Sequence, residues 1–182
     1  MESVLAEAHR LLAAAIKPGD VVVDATTGNG HDTLHLAKCV GPTGLVIGFD
    51  VQQKALESTR LRLEEAGCLN QTVLLHAGHE TMSDAIPEAL ERKGRGANEQ
   101  IAAACFNLGY LPGSDKSLIT KPATTRVALR AALKLLRPGG VVTIVAYPGH
   151  VGGEKERDAI RKWATELSEE QFEVQYRVSP DR

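Results

Sequence analysis

Short runs of consecutive apolar residues alternate along this chain with longer segments in which apolar residues recur every three or four positions. Runs of the first kind are typical of strands buried on both faces, and segments of the second kind are typical of amphipathic helices. The runs predict strands over residues 21–23, 45–49, 72–75, 101–106, 141–145 and 172–178. The periodic segments predict helices over residues 3–16, 31–39, 52–66, 82–92, 124–136 and 154–167.

The alternation of strands and helices determines the expected fold class. Consecutive βα units join parallel strands through right-handed crossovers, with helices on both sides of the sheet. We therefore predict an α/β fold with a doubly wound, mostly parallel sheet. The chain has no internal repeat and no linker, so we expect one domain over residues 1–182. Residues 137–140 read Arg-Pro-Gly-Gly, which predicts a turn before the strand at 141–145.

Composition narrows the class of protein. Hydrophobic residues make up 43% and charged residues 24%, as in ordinary globular domains. A formal net charge of -2 gives no global attraction to nucleic acid, so an RNA partner would need a local basic patch. The three cysteines are scattered without metal-ligand spacing, which predicts a reducing compartment and no metal site. Without a signal peptide or transmembrane run, we expect a cytoplasmic protein, or a stromal one in a plastid, with no membrane partner.

A glycine-containing segment at residues 23–33, Val-Asp-Ala-Thr-Thr-Gly-Asn-Gly-His-Asp-Thr, leaves a buried strand and enters a helix. In a doubly wound sheet such a loop lies at the carboxyl edge, where ligands bind. Two glycines let the backbone approach a ligand, and the helix start offers unpaired N–H groups to a carboxylate. We predict cofactor contacts from Thr26, Gly28, Asn29 and Gly30.

Two residues of this segment discriminate between cofactors. A dinucleotide site favours a third glycine where this chain has Thr33. Asp24, at the end of the first strand, would lie near a pyrophosphate but suits the cationic amino-acid end of S-adenosylmethionine (SAM). The segment therefore favours SAM over a nicotinamide dinucleotide.

The next two strand ends carry further candidates for the cofactor. Asp50 ends the second strand about 20 residues past the glycines, where a carboxylate accepts hydrogen bonds from ribose hydroxyls. Asp50 also fits the N-cap of the helix that begins near Gln52, and it can serve as both cap and ribose ligand. Gln52 is a further candidate for contact with the cofactor. At the third strand we predict that Gly78 leaves room for an adenine and that His79 lies beside it, although a lone histidine is also common as a structural residue.

The fourth strand ends in residues 107–112, Asn-Leu-Gly-Tyr-Leu-Pro. This segment partly resembles the Asn-Pro-Pro-Tyr type motif of amino-group methyltransferases, in which the asparagine orients the nucleophilic nitrogen and the aromatic ring packs beside it. The resemblance implies that Asn107 and Tyr110 serve the acceptor, with Asn107 also bordering the cofactor. A plain βα turn is the alternative interpretation.

Four blocks together resemble one family over nearly the whole chain: residues 24–33, residues 107–112, residues 120–122 with Thr125, and residues 147–150 with 152–154. This is the small bacterial and plastid group labelled "putative rRNA methylase". Its members include the tRNA methyltransferase that converts 5-aminomethyl-(2-thio)uridine at the wobble position to its 5-methylaminomethyl form. The resemblance implies a Rossmann-like SAM methyltransferase fold, SAM as cofactor and an amine on the tRNA anticodon as acceptor.

The family's fold normally ends with two strands after the last helix, one of them antiparallel. After residue 167 the sequence has room for only one, at 172–178, so we expect the final strand to be missing or cut off. The SAM site is unaffected by this departure.

An amine acceptor must lose a proton before methylation, because an alkylamine has a pKa near that of lysine, about 10. Further candidates for the catalytic set are Asp32, which also fits a helix cap, and His150. We predict substrate contacts from His31, Lys116, Lys121 and Tyr147. Arg126, Arg130, Lys134 and Arg137 recur at helical spacing, but such stripes are commonly just solvated surface.

Other functions remain open at this stage. The alternatives are a SAM-dependent enzyme acting on a ribosomal RNA base or a small metabolite, a nicotinamide dehydrogenase, and a SAM-binding protein without catalysis. The sequence does not determine the oligomeric state. Small enzymes of this type commonly pair through an exposed sheet edge or helix, so a homodimer is one expectation.

Overall fold

Five of the apolar runs form parallel strands in a computed structural model, which describes residues 3–109, 119–149 and 152–178. The strands of the described residues are β1 (Val21–Asp24), β2 (Leu45–Asp50), β3 (Thr72–His76), β4 (Ile101–Leu108) and β5 (Leu136–Ala146). They form one sheet in the order β3-β2-β1-β4-β5. The predicted doubly wound α/β fold is confirmed.

The strand order places β1 at the centre of the sheet, between β2 and β4. Asp24, the last residue of β1, is level with Gly48 of β2 on one side and with Cys105 of β4 on the other. Because all the strands are parallel, their carboxyl ends share one edge. The loops that follow β1, β2 and β4 therefore meet at that edge.

The helices are α1 (Val4–Ala15), α2 (His31–Val40), α3 (Gln53–Glu65), α4 (Met82–Arg92), α5 (Pro122–Leu135) and α6 (Gly153–Ala164), and a short 3-10 helix covers His79–Thr81. One buried cluster joins α1, α2 and α3 to one face of the sheet, and a second joins α4, α5 and α6 to the other. Alternate residues of β1 belong to different clusters: Val22 faces the first, and Val21 and Val23 face the second. The sheet is thus covered on both faces, as its continuous apolar runs predict.

The predicted strand at residues 172–178 is wrong. These residues carry no strand hydrogen bonding in the structure, and their side chains are largely exposed, with Val178 at 84%. Tyr176 reaches α6 through a hydrogen bond from its hydroxyl to the Arg161 carbonyl, at 3.4 Å. An apolar and polar alternation predicts a strand only where a neighbouring edge completes the backbone hydrogen bonds, and this segment does not pair with β5.

The predicted turn at residues 137–140 is instead an irregularity inside β5. Ile101 of β4 pairs with Leu136, and Ala103 pairs with Val141, so β5 uses three more residues than β4 between these points. Gly140 is required at the bulge, because a Cβ atom there would lie 2.8 Å from the Ala102 carbonyl oxygen. A bulge of this kind keeps the strand in the sheet where Pro138 could not donate to a regular ladder.

Arg137 does not belong to the basic stripe that its spacing suggests. It lies on β5, while the other three members lie on α5. Its guanidinium donates to both carboxylate oxygens of Asp20, at 2.6 and 2.9 Å, and to the Ala15 carbonyl at 3.0 Å. Arg137 therefore fastens the end of α1 to the sheet.

No helix in the described part of the chain is long and apolar enough to cross a membrane.

Arg137→Met should lower the free energy of unfolding by about 1–3 kcal/mol, because the Ala15 carbonyl loses its side-chain donor and the half-buried Asp20 carboxylate keeps only the Lys17 N–H. Arg130→Met, an exposed position on α5, should change it by no more than about 0.5 kcal/mol. Urea denaturation of both variants measures the difference. Equal effects of the two substitutions would mean that Arg137 contributes no more to stability than an exposed arginine of α5.

Candidate active site

The loop between β1 and α2 turns on two glycines with left-handed backbones. Gly28 has a φ of 52°, and Gly30, the N-cap of α2, has a φ of 78°. Because its N-cap is a glycine, this helix has no capping hydrogen bond from the N-cap side chain. The first N–H groups of α2 are therefore directed at the carboxyl edge of the sheet, where they can bind an anionic group such as a carboxylate.

Helix α3 holds this loop from outside. The Thr59 hydroxyl donates to the Gly28 carbonyl at 3.0 Å, and Arg62 Nε donates to the Asn29 carbonyl at 2.8 Å. Gly30 lies so close to α3 that a Cβ atom would be 2.8 Å from the Thr59 Cα. Thr59 and Arg62 could not be predicted from the sequence, because nothing local to them signals a contact some 30 residues away.

Asp24 lies beneath the loop. Its carboxylate is completely buried and accepts hydrogen bonds from the Thr26 N–H at 3.1 Å and the Thr33 hydroxyl at 2.6 Å. Burial raises the pKa of Asp24 to about 7, and the nearby Asp32 carboxylate adds to the rise, against the two hydrogen bonds. This position favours support of the loop over the predicted direct contact with the cofactor. Thr33, at the position where a dinucleotide site favours a third glycine, thus supplies one of the hydrogen bonds to Asp24.

Asp50 lies at the loop's open side. Its two carboxylate oxygens accept hydrogen bonds from the Gly28 N–H and the Gln52 N–H, both at 2.9 Å. The carboxylate thus ties the glycine loop to the start of α3. It is half-buried, and each oxygen has a further lone pair that a ribose hydroxyl could use.

The end of β4 is joined to the same loop through Thr26 and Asp32. The Thr26 hydroxyl accepts the Asn107 N–H at 2.8 Å. The side-chain amide of Asn107 donates through Nδ2 to Asp32 Oδ2. Asp32 Oδ1 lies 2.5 Å from Nε2 of His9, a residue of α1 that the sequence analysis did not identify. Asp32 therefore contacts β4 and α1 and does not act as the helix cap.

The residues that follow β3 have an environment different from the predicted adenine site. His79 is buried, and its Nδ1 lies 3.2 Å from the Ala25 carbonyl oxygen while its ring packs at a tilt against Phe106. Burial lowers the pKa of His79, so the imidazole is neutral at pH 7. This environment favours a structural role over the predicted adenine contact. Gly78, just before it, is half-buried, with the Glu80 carboxylate over its Cα.

A buried glutamate of α6 accepts hydrogen bonds from two threonines that follow β4 in sequence. Glu156 is 2% exposed, and its carboxylate accepts the Thr120 hydroxyl at 2.5 Å and the Thr125 hydroxyl at 2.8 Å. The Thr120 oxygen in turn accepts the Gly109 N–H at 2.9 Å. Glu156 thus holds Thr120 against Gly109, at the two ends of the loop between β4 and α5, which we call the acceptor loop after its predicted role. Sequence reasoning found both threonines through the family resemblance and missed the glutamate.

The remaining predicted residues are spread over the same edge. His31 is exposed at the first turn of α2, and Tyr147, 40% exposed, follows β5 and donates its N–H to the Leu108 carbonyl at 3.1 Å. Lys121 is the exposed N-cap residue of α5. Three predicted residues lie outside the described ones: Tyr110, Lys116 and His150.

Comparison with known families identifies the class of protein. A family model described as "Putative rRNA methylase" matches residues 46–179, about three quarters of the chain. The chain belongs to this rRNA methylase family. A second model, for protein-L-isoaspartate(D-aspartate) O-methyltransferase, matches residues 2–89, the half that holds the glycine loop.

Individual relatives agree with this family. The chain is 38% identical over 168 residues to the "tRNA (mnm(5)s(2)U34)-methyltransferase, chloroplastic" of Arabidopsis thaliana, and the match covers 88% of this chain and 58% of the plant protein. The chain thus spans little more than half the length of the plant protein.

Two solved structures match over 100% of this chain and 92% of theirs, and a third matches over 89% of this chain and 51% of its own. A "putative rRNA-methylase" from Clostridium thermocellum has 35% identity and a TM-score of 0.91. A "putative methyltransferase" from Streptococcus mutans in complex with SAH has 34% identity and a TM-score of 0.82. A SAM-dependent O-methyltransferase from Thermotoga maritima, at 16% identity and a TM-score of 0.55, shares the fold alone.

The donors and acceptors at the edge fit SAM. The uncapped N-terminus of α2 suits its carboxylate, and the half-buried Asp50 carboxylate suits its ribose hydroxyls. A pyrophosphate would lie near the partly exposed Asp32 carboxylate, with the buried Asp24 carboxyl group beneath the loop, and both disfavour a second anion.

Asp24 should make the ligand-free protein less stable as the pH rises. Its pKa of about 7 in the fold lies above the ordinary 3.8, so between these values the folded protein binds more protons than the unfolded chain. The free energy of unfolding contributed by this group therefore falls as the pH rises through that window. Asp24→Asn removes the titration, and its stability relative to wild type should increase from pH 4 to 7 and then level off. If the free energies of unfolding of Asp24→Asn and wild type change in parallel with pH across this range, the pKa of Asp24 is not raised.

Glu156→Leu should lower the free energy of unfolding by about 1–3 kcal/mol, because the buried Thr125 hydroxyl loses its acceptor. Glu154→Leu, an exposed glutamate on the same helix, is the matched control and should change stability by no more than about 0.5 kcal/mol. Chemical denaturation compares the two, and indistinguishable midpoints would mean that the Glu156 hydrogen bonds do not stabilise the fold.

Proposed function

We propose that this chain is a SAM-dependent methyltransferase that N-methylates 5-aminomethyl-(2-thio)uridine at the tRNA wobble position, giving the 5-methylaminomethyl nucleoside. Its family and the name of its Arabidopsis relative support methyl transfer to RNA and point to this nucleoside. The printed family description favours a ribosomal RNA base as the second candidate acceptor.

The observation that carries the proposal is the position of Asn107. The residue ends β4, next to β1, and its N–H is bonded to Thr26 of the glycine loop. Its Nδ2 is engaged by Asp32, and Oδ1, the acceptor atom of the amide, has no hydrogen bond among the described residues. An amide oxygen at the junction of the cofactor loop and the acceptor loop suits an N–H group of an amine, whose lone pair it would direct towards the methyl carbon.

The charges at this edge also suit an amine. SAM, when bound, supplies a methyl group activated by a sulfonium. The acceptor ammonium is attracted by the Asp32 carboxylate, which is 14% exposed. It must release a proton to water before its nitrogen lone pair can attack; SAM would then supply the methyl group, and its sulfur would keep the electrons of the broken S–C bond. Neither step requires a metal ion.

Contacts with tRNA are proposed at the exposed residues around the acceptor. Lys121 can bind a phosphate and Tyr147 can pack on an unstacked base. Tyr110 and Lys116 belong to the same proposal from the sequence alone.

The acceptor is tested directly with purified protein and methyl-labelled SAM. Anticodon stem-loops carrying aminomethyluridine should be labelled, and identical stem-loops with unmodified uridine should not. Ribosomal RNA from a strain that lacks the gene is the second substrate in the same assay. Label in the ribosomal RNA, or none in the aminomethyluridine stem-loop, would overturn the proposal.

Cofactor and acceptor roles should separate in two variants. Asp50→Ala should weaken SAM binding, by roughly 1.5–3 kcal/mol for each hydrogen bond lost to the charged carboxylate. Asn107→Ala should leave the SAM dissociation constant nearly unchanged and reduce kcat on the aminomethyluridine stem-loop by about 100-fold. Calorimetry and single-turnover kinetics measure the two quantities. Normal turnover in Asn107→Ala would exclude its proposed role.

A further inference from the structure

A chain of three polar side chains connects α1 to the acceptor side of the site. His9 of α1, Asp32 of α2 and Asn107 of β4 are separated by 23 and 75 positions in sequence, and each contacts the next. The Asp32 side chain is 14% exposed and that of His9 is 27% exposed, so the chain runs from the protein surface to the end of β4.

The chemistry of Asp32 determines which way the Asn107 amide points. An ionised carboxylate only accepts hydrogen bonds, so the amide must present its Nδ2 to Asp32 and its Oδ1 elsewhere. A flipped amide would place two acceptor oxygens against each other. Asp32 thereby fixes Oδ1 as the group available to an incoming amine.

His9 in turn determines where the Asp32 carboxylate lies. Its Nε2 donates to Asp32 Oδ1 at 2.5 Å, and its ring stacks on that of His35, with centroids 4.2 Å apart and planes 11° from parallel. His35 Nε2 lies 3.3 Å from the His9 carbonyl oxygen, which anchors the stack to the backbone of α1. Burial, followed by the charge of His9, lowers the pKa of His35, so a neutral ring supports His9.

We propose that His9 is a positioning residue for the acceptor nitrogen: through Asp32 it holds the Asn107 amide with Oδ1 directed at the amine. This inference rests on the proposed function for its kinetic consequence, and the hydrogen-bond chain itself is independent of the acceptor. His9 does not touch the substrate. It acts only by limiting the orientations of Asp32 and Asn107.

A double-mutant cycle tests the kinetic consequence. His9→Leu should reduce kcat on the aminomethyluridine stem-loop by about 10- to 100-fold and leave the SAM dissociation constant and the melting temperature close to wild type. His9→Gln, which keeps an N–H donor near Nε2, should restore most of the loss. Arg10→Leu, an exposed neighbour on α1, is the matched control and should retain wild-type kcat.

The cycle separates positioning from a general loss of structure. In an Asn107→Ala background His9→Leu should have no further effect, because the amide through which it acts is gone. The same fold-loss in both backgrounds, or equal damage from His9→Gln and His9→Leu, would overturn the proposal. Asp32→Asn, which can bond the amide in either orientation and also lacks the charge that attracts the ammonium, should lose at least as much kcat as His9→Leu while remaining folded.

NMR keeps the inference testable whatever the acceptor is. In the ¹⁵N spectrum of the protein without substrate, the side-chain amide of Asn107, assigned by its loss in Asn107→Ala, should show one proton shifted downfield by the carboxylate. That shift should disappear in Asp32→Asn and shrink in His9→Leu. If these shifts occur but the stem-loop is not methylated, the proposed acceptor is wrong and the positioning of the Asn107 amide by His9 is still supported. An unchanged Asn107 amide in His9→Leu would overturn it even if the stem-loop is methylated.

Discussion

The buried carboxyl group of Asp24 is the interaction on which the geometry of the site depends. It ends the central strand and accepts hydrogen bonds from the Thr26 N–H and the Thr33 hydroxyl, which set the course of the glycine loop and the start of α2. Thr26, held in this way, receives the Asn107 N–H from β4. One carboxyl group therefore relates the loop proposed to bind the cofactor to the strand end proposed to bind the acceptor.

This carboxyl group is unusual because it is buried and has no cationic partner in the part of the chain that the structure describes. Desolvation raises the pKa of Asp24, and the negative charge of Asp32 raises it further. The two acids therefore favour a cation at the carboxyl edge of the sheet, because a positive charge there would relieve their repulsion. An ammonium acceptor and a sulfonium cofactor both meet this requirement, and a pyrophosphate does not. The electrostatics and the backbone thus favour the same class of ligand.

The sequence predicted the fold and the loop that positions the site because their signals are local. Apolar runs place the five strands within a few residues, and the glycines and Asp50 follow from their position after a strand. The partners Thr59, His9 and Glu156 could not be predicted, because each acts across at least 23 positions without a local pattern. The false strand at residues 172–178 has a related cause: alternation describes side chains, whereas a strand needs a paired edge.

The distinction between local and long-range contacts also divides the site into a part proposed to bind the cofactor and a part proposed to bind the acceptor. The glycine loop and Asp50 use hydrogen bonds within the first half of the chain, which a model of isoaspartate O-methyltransferases also matches. The half proposed to bind the acceptor depends on Asn107, Thr120 and Glu156, which lie in the region that the rRNA methylase model matches. A fold that keeps its cofactor contacts local can change acceptor by altering distant contacts while the loop is preserved. His9 is informative for that reason: it belongs to the first half, yet its side chain contacts Asp32 and, through it, the acceptor side.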